Sequence, residues 1–186
     1  MYVKNGIYHI YNHGCNKDNI FFSDDNYLYL LEKLKEEKDK YEIEIIAYCL
    51  MPNHYHFLIQ QKSDKTISSF IQKIFNGYVQ AINKQQNRSG TLFEGRSKSI
   101  LIDDEIYLTH LIRYIHINPV TAGLVTKPEQ WQFSNYLEWI GKRKDSLFSK
   151  DTFNDLFDSY EHYQIFVEEH IKDLKVINGM EKYLFE

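Results

Sequence analysis

Two histidines separated by one residue, His54 and His56, are the first side chains in this sequence that could do chemistry. The residue pattern over 54–61 predicts a strand, and residues two apart on a strand point to the same side. Both imidazoles would therefore face one way, with Tyr55 facing the other. Because imidazole is a common ligand of metal ions in proteins, the pair predicts half of a metal site. The alternative is a pair of polar residues on a half-exposed strand.

A tyrosine on a predicted helix, Tyr114, is the second candidate. The helical turn of about 100° per residue separates an apolar stripe (Leu108, Leu111, Ile112 and Ile115) from a second stripe (Tyr107, His110, Tyr114 and Asn118). Tyr114 and Asn118 are four residues apart, which places a phenol beside an amide on one helix face. Pro119 opposes this alignment, because proline biases the preceding residue away from helical geometry. The alternative for Tyr114 is a boundary aromatic with its hydroxyl in water.

A loop with two glycines, Gly90 and Gly95, leads into a predicted strand that begins with Arg96 and includes Lys98. Glycines beside basic residues suit a close approach of the backbone to phosphate. The loop lacks the spacing of a nucleotide-binding P-loop. A plain connecting loop is the alternative.

The stretch 62–98 contains seven basic residues, among them Arg88, against two acidic ones, with Tyr78 and Phe93 in between. Such a surface can follow a phosphate backbone and stack on bases. We therefore take Arg88, Arg96 and Lys98 as candidate DNA-binding residues, with a solvated helix face and loop as the alternative.

The overall charge of −4 at pH 7 is unusual for a protein that binds nucleic acid, but it is unevenly distributed. Residues 145–186 contain ten acidic and four basic residues, so they carry −6 and residues 1–144 carry +2. The acidic tail could fold over the basic stretch and compete with DNA for it. The alternative is an appendage that packs or dimerises.

The elements that would position these residues alternate between strands and helices. Strands are predicted at 8–11, 43–51, 54–61 and 96–102, and helices from Ser23 to about Lys40, from Thr66 to about Gln86 and from Asp103 to Asn118–Pro119. This order, β-α-β-β-α-β-α, is that of an α+β, ferredoxin-like split βαβ fold with an antiparallel sheet and one additional helix.

The chain is long enough for one domain with a proper core and short for two. Aromatic-rich helical segments are predicted at 131–140, 153–157 and 160–174. We expect a nucleic-acid-processing domain over 1–140 and an acidic helical appendage over 141–186. No apolar run long enough for a membrane helix and no secretion signal are recognisable, so a cytoplasmic protein is expected.

Five segments in a fixed order carry a resemblance to a known family. They are 8–10 (YHI), 51–56 (MPNHYH), 90–96 (GTLFEGR), 113–120 (RYIHINPV) and 122–125 (AGLV). Together they resemble the REP-associated tyrosine transposases, which fall within the HUH single-tyrosine superfamily. The resemblance covers roughly residues 6–136.

The resemblance implies a role for each matching residue. His54 and His56 would be the metal-binding pair, Tyr114 the nucleophile, and Asn118 would stand where related transposases place a polar third ligand. The implied activity is cleavage and transfer of single-stranded, hairpin-bearing DNA through a 5′-phosphotyrosine, with Mg²⁺ or Mn²⁺ as the only cofactor. Two imidazoles favour manganese, since magnesium prefers oxygen ligands.

The chain departs from the family pattern at His13, Ser97 and Thr121, which bears on the DNA sequence recognised and leaves the proposed chemistry intact. Two other functions stay open at this point: a catalytically silent DNA-binding protein of the same fold, and a metallohydrolase that uses the histidine pair with further ligands. A homodimer is also left open.

Overall fold

The computed structural model describes the backbone of residues 2–184 and the side chains of residues 2–174. Its centre is a four-stranded antiparallel sheet with the strand order β2-β3-β1-β4. The strands are β1 (Ile7–His13), β2 (Ile43–Met51), β3 (His54–Gln61) and β4 (Lys98–Ile102). This order is the one that a ferredoxin-like split βαβ fold requires, so the predicted fold class is confirmed.

The described residues form six α-helices. They are α1 (Asp24–Lys38), α2 (Ile67–Gln85), α3 (Glu105–Thr121), α4 (Tyr136–Trp139), α5 (Lys150–Leu156) and α6 (Tyr160–Leu184). Side chains cap two of these helices: Thr66 and Asp104 accept hydrogen bonds from the amides of Ser69 and Tyr107. No helix within the described residues is long and apolar enough to cross a membrane.

The sheet is covered on both faces over β1, β2 and β3, whereas most of β4 is exposed. One face packs against α1 and α2 through side chains such as Tyr55 and Phe57, and the other packs against α3 through side chains such as Leu58 and Ile112. Successive residues of β3 therefore contribute to opposite cores, as the alternation along a strand requires. The two predicted histidines lie on the α3 side of the sheet.

Several boundaries differ from those that the sequence predicts. The helix α3 continues through Pro119 to Thr121, because a proline in the last turn removes only one hydrogen bond from the helix. The last strand begins at Lys98 rather than Arg96. The segment 131–140 was expected to be one helix, whereas its only helix within the described residues is the four-residue α4.

The C-terminal segment packs against α3. Phe153, Tyr163 and Val167 are buried in the same core as Trp139 and Ile112. This packing favours the second interpretation of the acidic tail over the masking of the basic stretch, as far as its side chains are described. Four charged residues of that tail lie beyond the described side chains: Lys175, Glu181, Lys182 and Glu186. The division of the chain near residue 140 stays a prediction.

Candidate active site

The histidine pair lies where β3 leaves its hairpin. The turn at Pro52–Asn53 starts β3 directly at His54, and the imidazole rings of His54 and His56 lie 5.2 Å apart on one face of the sheet. Tyr55 points into the opposite core, where its hydroxyl hydrogen-bonds the Ser97 hydroxyl at 2.6 Å. The strand geometry expected for the pair is therefore present.

The amide of Asn118 lies between the two histidines. Its Oδ1 is 3.1 Å from Nε2 of His54, and its Nδ2 is 3.5 Å from Nε2 of His56. This contact exists because Asn118 keeps helical geometry despite Pro119. The three residues that the sequence assigns to a metal thus meet at one point.

The partners of His54 determine which of its nitrogens is free. Its Nδ1 lies 2.8 Å from Oδ1 of Asn53, an acceptor, so in a neutral ring the proton is on Nδ1. The Nε2 lone pair then faces Oδ1 of Asn118, a second acceptor. Two acceptors 3.1 Å apart repel each other unless a cation lies between them. Two ligands that are each about 2.1 Å from an ion, at a right angle to each other, are themselves about 3 Å apart, which is close to the observed separation.

The donor set fits a divalent metal ion. It consists of two imidazole nitrogens and one amide oxygen, a combination suited to manganese and tolerated by magnesium. Among the described residues, no group of three or more His, Cys, Asp or Glu side chains could hold a metal. Beside the two histidines, the Asn118 amide oxygen is placed where it could serve as a third ligand.

Burial keeps both rings neutral. It lowers the pKa of His54, an effect that Oδ1 of Asn118 partly opposes because this oxygen would accept a hydrogen bond from the protonated ring. Burial, with smaller contributions from His9 and His54, lowers the pKa of His56 to about 3. Neutral imidazole is the form that binds metal ions, so the environment favours ligation at neutral pH.

Tyr114 lies beside this cluster. Its ring centre is 5.6 Å from that of His56, edge to face, and 47% of the residue is exposed. It is one helical turn before Asn118, so one face of α3 supplies both residues. An exposed phenol next to a candidate metal position is placed to meet a substrate from solution.

The other members of the predicted α3 stripe are arranged differently. Tyr107 is exposed two turns earlier. His110 faces the C-terminal segment, where its ring lies 5.7 Å from that of Phe166 and its Nδ1 accepts a hydrogen bond from Arg113. His110 is nevertheless exposed, as Tyr107 and Tyr114 are, so the predicted stripe remains on the surface of α3 up to Tyr114.

Two residues of β1 that the sequence analysis missed, His9 and Tyr11, lie beside the pair. Nε2 of His9 is 2.9 Å from Nδ1 of His56, and Tyr11 is the register partner of His56 with its ring 6.0 Å away. The Lys98 ammonium lies 5.8 Å from the centre of the Tyr11 ring. Alternation along β1 places His9 and Tyr11 on one face, but their neighbours depend on a strand pairing that is distant in sequence.

The candidate DNA-binding residues differ in availability. Arg96 and Lys98 are exposed at the β4 edge of the sheet. Arg88 is half-buried and donates a hydrogen bond to the Thr91 carbonyl, which closes its own loop. Lys62 and Lys65, at the start of the basic stretch, pair with Glu44 and Glu42.

The aromatic side chains within the basic stretch are not available for base stacking. Tyr78 is fully buried, and its hydroxyl donates to the Ile20 carbonyl at 2.6 Å. Phe93 is half-buried against Tyr55 and Phe75. The expectation for Tyr78 was therefore wrong, since this residue belongs to the apolar face of α2.

A tight turn supports the start of β3. The amide of Gly14 donates to the Asn53 carbonyl at 2.8 Å. Gly14 has an ordinary negative φ of −61°, yet a Cβ at this position would overlap the carbonyl oxygen of Asp18. Space, and not backbone conformation, therefore requires glycine here.

Comparison with known proteins adds an independent line of observation. Residues 2–118 match the model of the family described as "Transposase IS200 like". A Haemophilus influenzae protein provisionally named REP-associated tyrosine transposase is 26% identical over 112 residues, which cover 55% of this chain and 64% of that protein. The chain therefore spans somewhat less than two thirds of that relative.

A solved structure described as a REP-associated tyrosine transposase bound to a REP hairpin has the same fold. It superposes with a TM-score of 0.66 and 20% identity, over 81% of this chain and 94% of that chain. At this identity the likeness concerns the fold.

Proposed function

Since the chain belongs to the family of IS200-like transposases, we propose that it is a metal-dependent, single-tyrosine enzyme that cuts and rejoins single-stranded DNA bearing a hairpin. Tyr114 is the nucleophile in this proposal, and His54, His56 and Asn118 hold the metal ion. The proposal goes beyond family membership in naming these residues, the metal and the covalent intermediate.

One observation carries the proposal. Three ligand-type side chains from β3 and α3, His54, His56 and Asn118, converge at 3.1 to 3.5 Å, with Tyr114 one helical turn away. A merely structural use of these residues does not require two acceptors to face each other beside an exposed phenol. The fold of the hairpin-bound transposase supports hairpin DNA as the class of substrate.

The reaction that fits this geometry is an in-line attack. When bound, the divalent ion polarises the scissile phosphate and orients it. The Tyr114 oxygen forms a bond to phosphorus while the bond from phosphorus to the 3′ oxygen breaks. The phenol proton passes to water, and the leaving oxygen takes up a proton to become a 3′-hydroxyl. The phosphate stays on the 5′ end, joined to Tyr114.

The covalent intermediate conserves the bond for rejoining. A 3′-hydroxyl can attack the phosphotyrosine, which reforms a phosphodiester and releases Tyr114. No nucleotide is consumed. Arg96 and Lys98 are exposed, and Lys98 lies beside Tyr11; both would hold the backbone of the strand through its phosphates.

The test compares two phenylalanine substitutions on one helix. Wild-type protein incubated with Mn²⁺ and a hairpin single strand labelled at its 3′ end, on the fragment that keeps the 5′ phosphate, should yield a labelled protein–DNA adduct on a denaturing gel. Tyr114→Phe should bind the same DNA and give no adduct. Tyr107→Phe is the matched control, because it is equally exposed and lies about 10 Å away along the axis, too far for in-line attack. An adduct formed by Tyr114→Phe would refute the assignment.

A further inference from the structure

A histidine outside the predicted ligand set contacts one of the ligands. His9 is 6% exposed, and its Nε2 lies 2.9 Å from Nδ1 of His56. The two ring planes differ by only 21°, so the contact joins the edges of nearly parallel rings. At this separation the two nitrogens share one proton, because two N–H groups would clash and two lone pairs would repel.

The position of that proton decides what His56 presents to the site. A proton on His56 Nδ1, donated to His9, leaves a lone pair on His56 Nε2. A proton on His9 Nε2 instead forces neutral His56 to carry its own proton on Nε2, aimed at the site. Only the first arrangement allows His56 to bind a metal ion through Nε2.

The neighbouring amide agrees with the first arrangement. Nδ2 of Asn118, a donor, lies 3.5 Å from Nε2 of His56 while its Oδ1 faces His54. A protonated Nε2 on His56 would oppose this donor with a second donor. His9 is not itself a third ligand here, because its Nε2 contacts the edge of His56 that faces away from Asn118.

We infer that His9 is a positioning residue: it accepts the Nδ1 proton of His56 and thereby holds the Nε2 lone pair of His56 toward the metal position. Only one part of this inference rests on the proposed function, namely that the Nε2 lone pair of His56 binds a metal ion. Metal-ligating histidines generally donate the N–H of their second ring nitrogen to an acceptor, which fixes the tautomer and the orientation of the ring. Asn53 does the same for His54, so each ring has its own acceptor.

The arrangement also explains the composition of β1. His9 and Tyr11 lie on the same face as Ile7, which packs against the apolar core on that side. An apolar residue at position 9 would suit that core equally well. A buried histidine there costs desolvation, which lowers its pKa to about 4, and the hydrogen bond to His56 compensates for that cost.

Two substitutions distinguish the role of His9 as a hydrogen-bond acceptor from the packing of its ring. His9→Phe keeps a planar ring beside Tyr11 and removes the acceptor, whereas His9→Gln restores an acceptor oxygen. Mn²⁺ binding is measured without DNA by titration calorimetry and by the electron paramagnetic resonance of free Mn²⁺. His9→Phe should weaken binding about 10- to 100-fold, and His9→Gln should recover most of it. His162→Phe, an exposed histidine on α6, is the matched control and should bind as wild type.

A second readout does not depend on metal or activity. Nitrogen-15 NMR of the histidine rings in metal-free protein reports which nitrogen of His56 is protonated. The inference is supported if wild-type His56 is protonated at Nδ1 and if His56 in His9→Phe exchanges between the Nδ1-protonated and the Nε2-protonated tautomers. Protonation of wild-type His56 at Nε2 overturns it.

The outcomes also separate this inference from the proposed function. If wild type binds no Mn²⁺ while His56 is protonated at Nδ1, the metal-dependent function fails and the role of His9 stands. If folded His9→Phe and His9→Gln lose binding equally, the ring acts through packing and the acceptor role is refuted. Circular dichroism of each variant identifies any that is unfolded, and the NMR result on wild type then decides.

Discussion

A buried hydrogen bond connects α3 to the C-terminal segment and allows a quantitative prediction. His116, two residues after Tyr114 on α3, is fully buried. Its Nε2 donates to Oδ1 of Asn135 at 2.9 Å, and its Nδ1 accepts from the Tyr163 hydroxyl at 2.6 Å. Burial lowers the pKa of His116 to about 4, so the ring is neutral and both contacts are satisfied by one proton each.

Removal of the Tyr163 hydroxyl leaves a buried acceptor without a partner. Tyr163→Phe should therefore lower the free energy of unfolding by about 1–3 kcal/mol. For a chain of this size that corresponds to a decrease in melting temperature of about 2–12 °C. Urea unfolding followed by circular dichroism, with the slope held constant, measures the difference directly.

A second tyrosine in the same core provides a matched control. Tyr136 is also fully buried, but its hydroxyl has no hydrogen-bond partner among the described residues. Tyr136→Phe removes an unsatisfied polar group, so it should cost at most about 0.5 kcal/mol and can stabilise the protein. If both variants lose the same free energy, the loss reflects packing, and the reasoning from the Tyr163–His116 bond is wrong.

Two further predictions concern the site directly. His54→Ala and His56→Ala should each abolish cleavage and weaken Mn²⁺ binding in calorimetry, because each removes a proposed nitrogen ligand. Undiminished cleavage by wild type in excess chelator would contradict the proposed role of the metal. Lys98→Ala should weaken binding of single strands similarly for all sequences and reduce the slope of log K against log salt by about 0.7, the value for one phosphate contact on a single strand. An unchanged slope would place Lys98 outside the DNA contact.

The sequence predicted most accurately those features that depend on local pattern. The turn at Pro52–Asn53 correctly predicted where β2 ends and where β3 begins, and the alternation along a strand correctly predicted that His54 and His56 face the same side. The helix end at Pro119 was predicted too early, because tertiary packing of α3 outweighs the local bias of one proline in a last turn.

Contacts between distant segments could not be predicted from local pattern. His9 contacts His56 only because β1 pairs with β3, and the two histidines are 47 residues apart in the sequence. Tyr78 is a different case, because the helical period alone already places it on the apolar face of α2, where it is fully buried. Charge counts describe which residues are basic, and only the fold distinguishes the paired Lys62 from the exposed Arg96.

The requirement for glycine at position 14 bears on how inactive variants arise. In a saturation mutagenesis screen scored for DNA cleavage, substitutions at Gly14 should be depleted about as strongly as those at His54. A side chain there displaces the turn that donates to the Asn53 carbonyl, and Asn53 orients His54. A single substitution at Gly14 would therefore abolish the proposed activity even though His54, His56 and Tyr114 are all retained. A homologous sequence should therefore be judged active only if it keeps glycine at position 14 as well as the two histidines and the tyrosine.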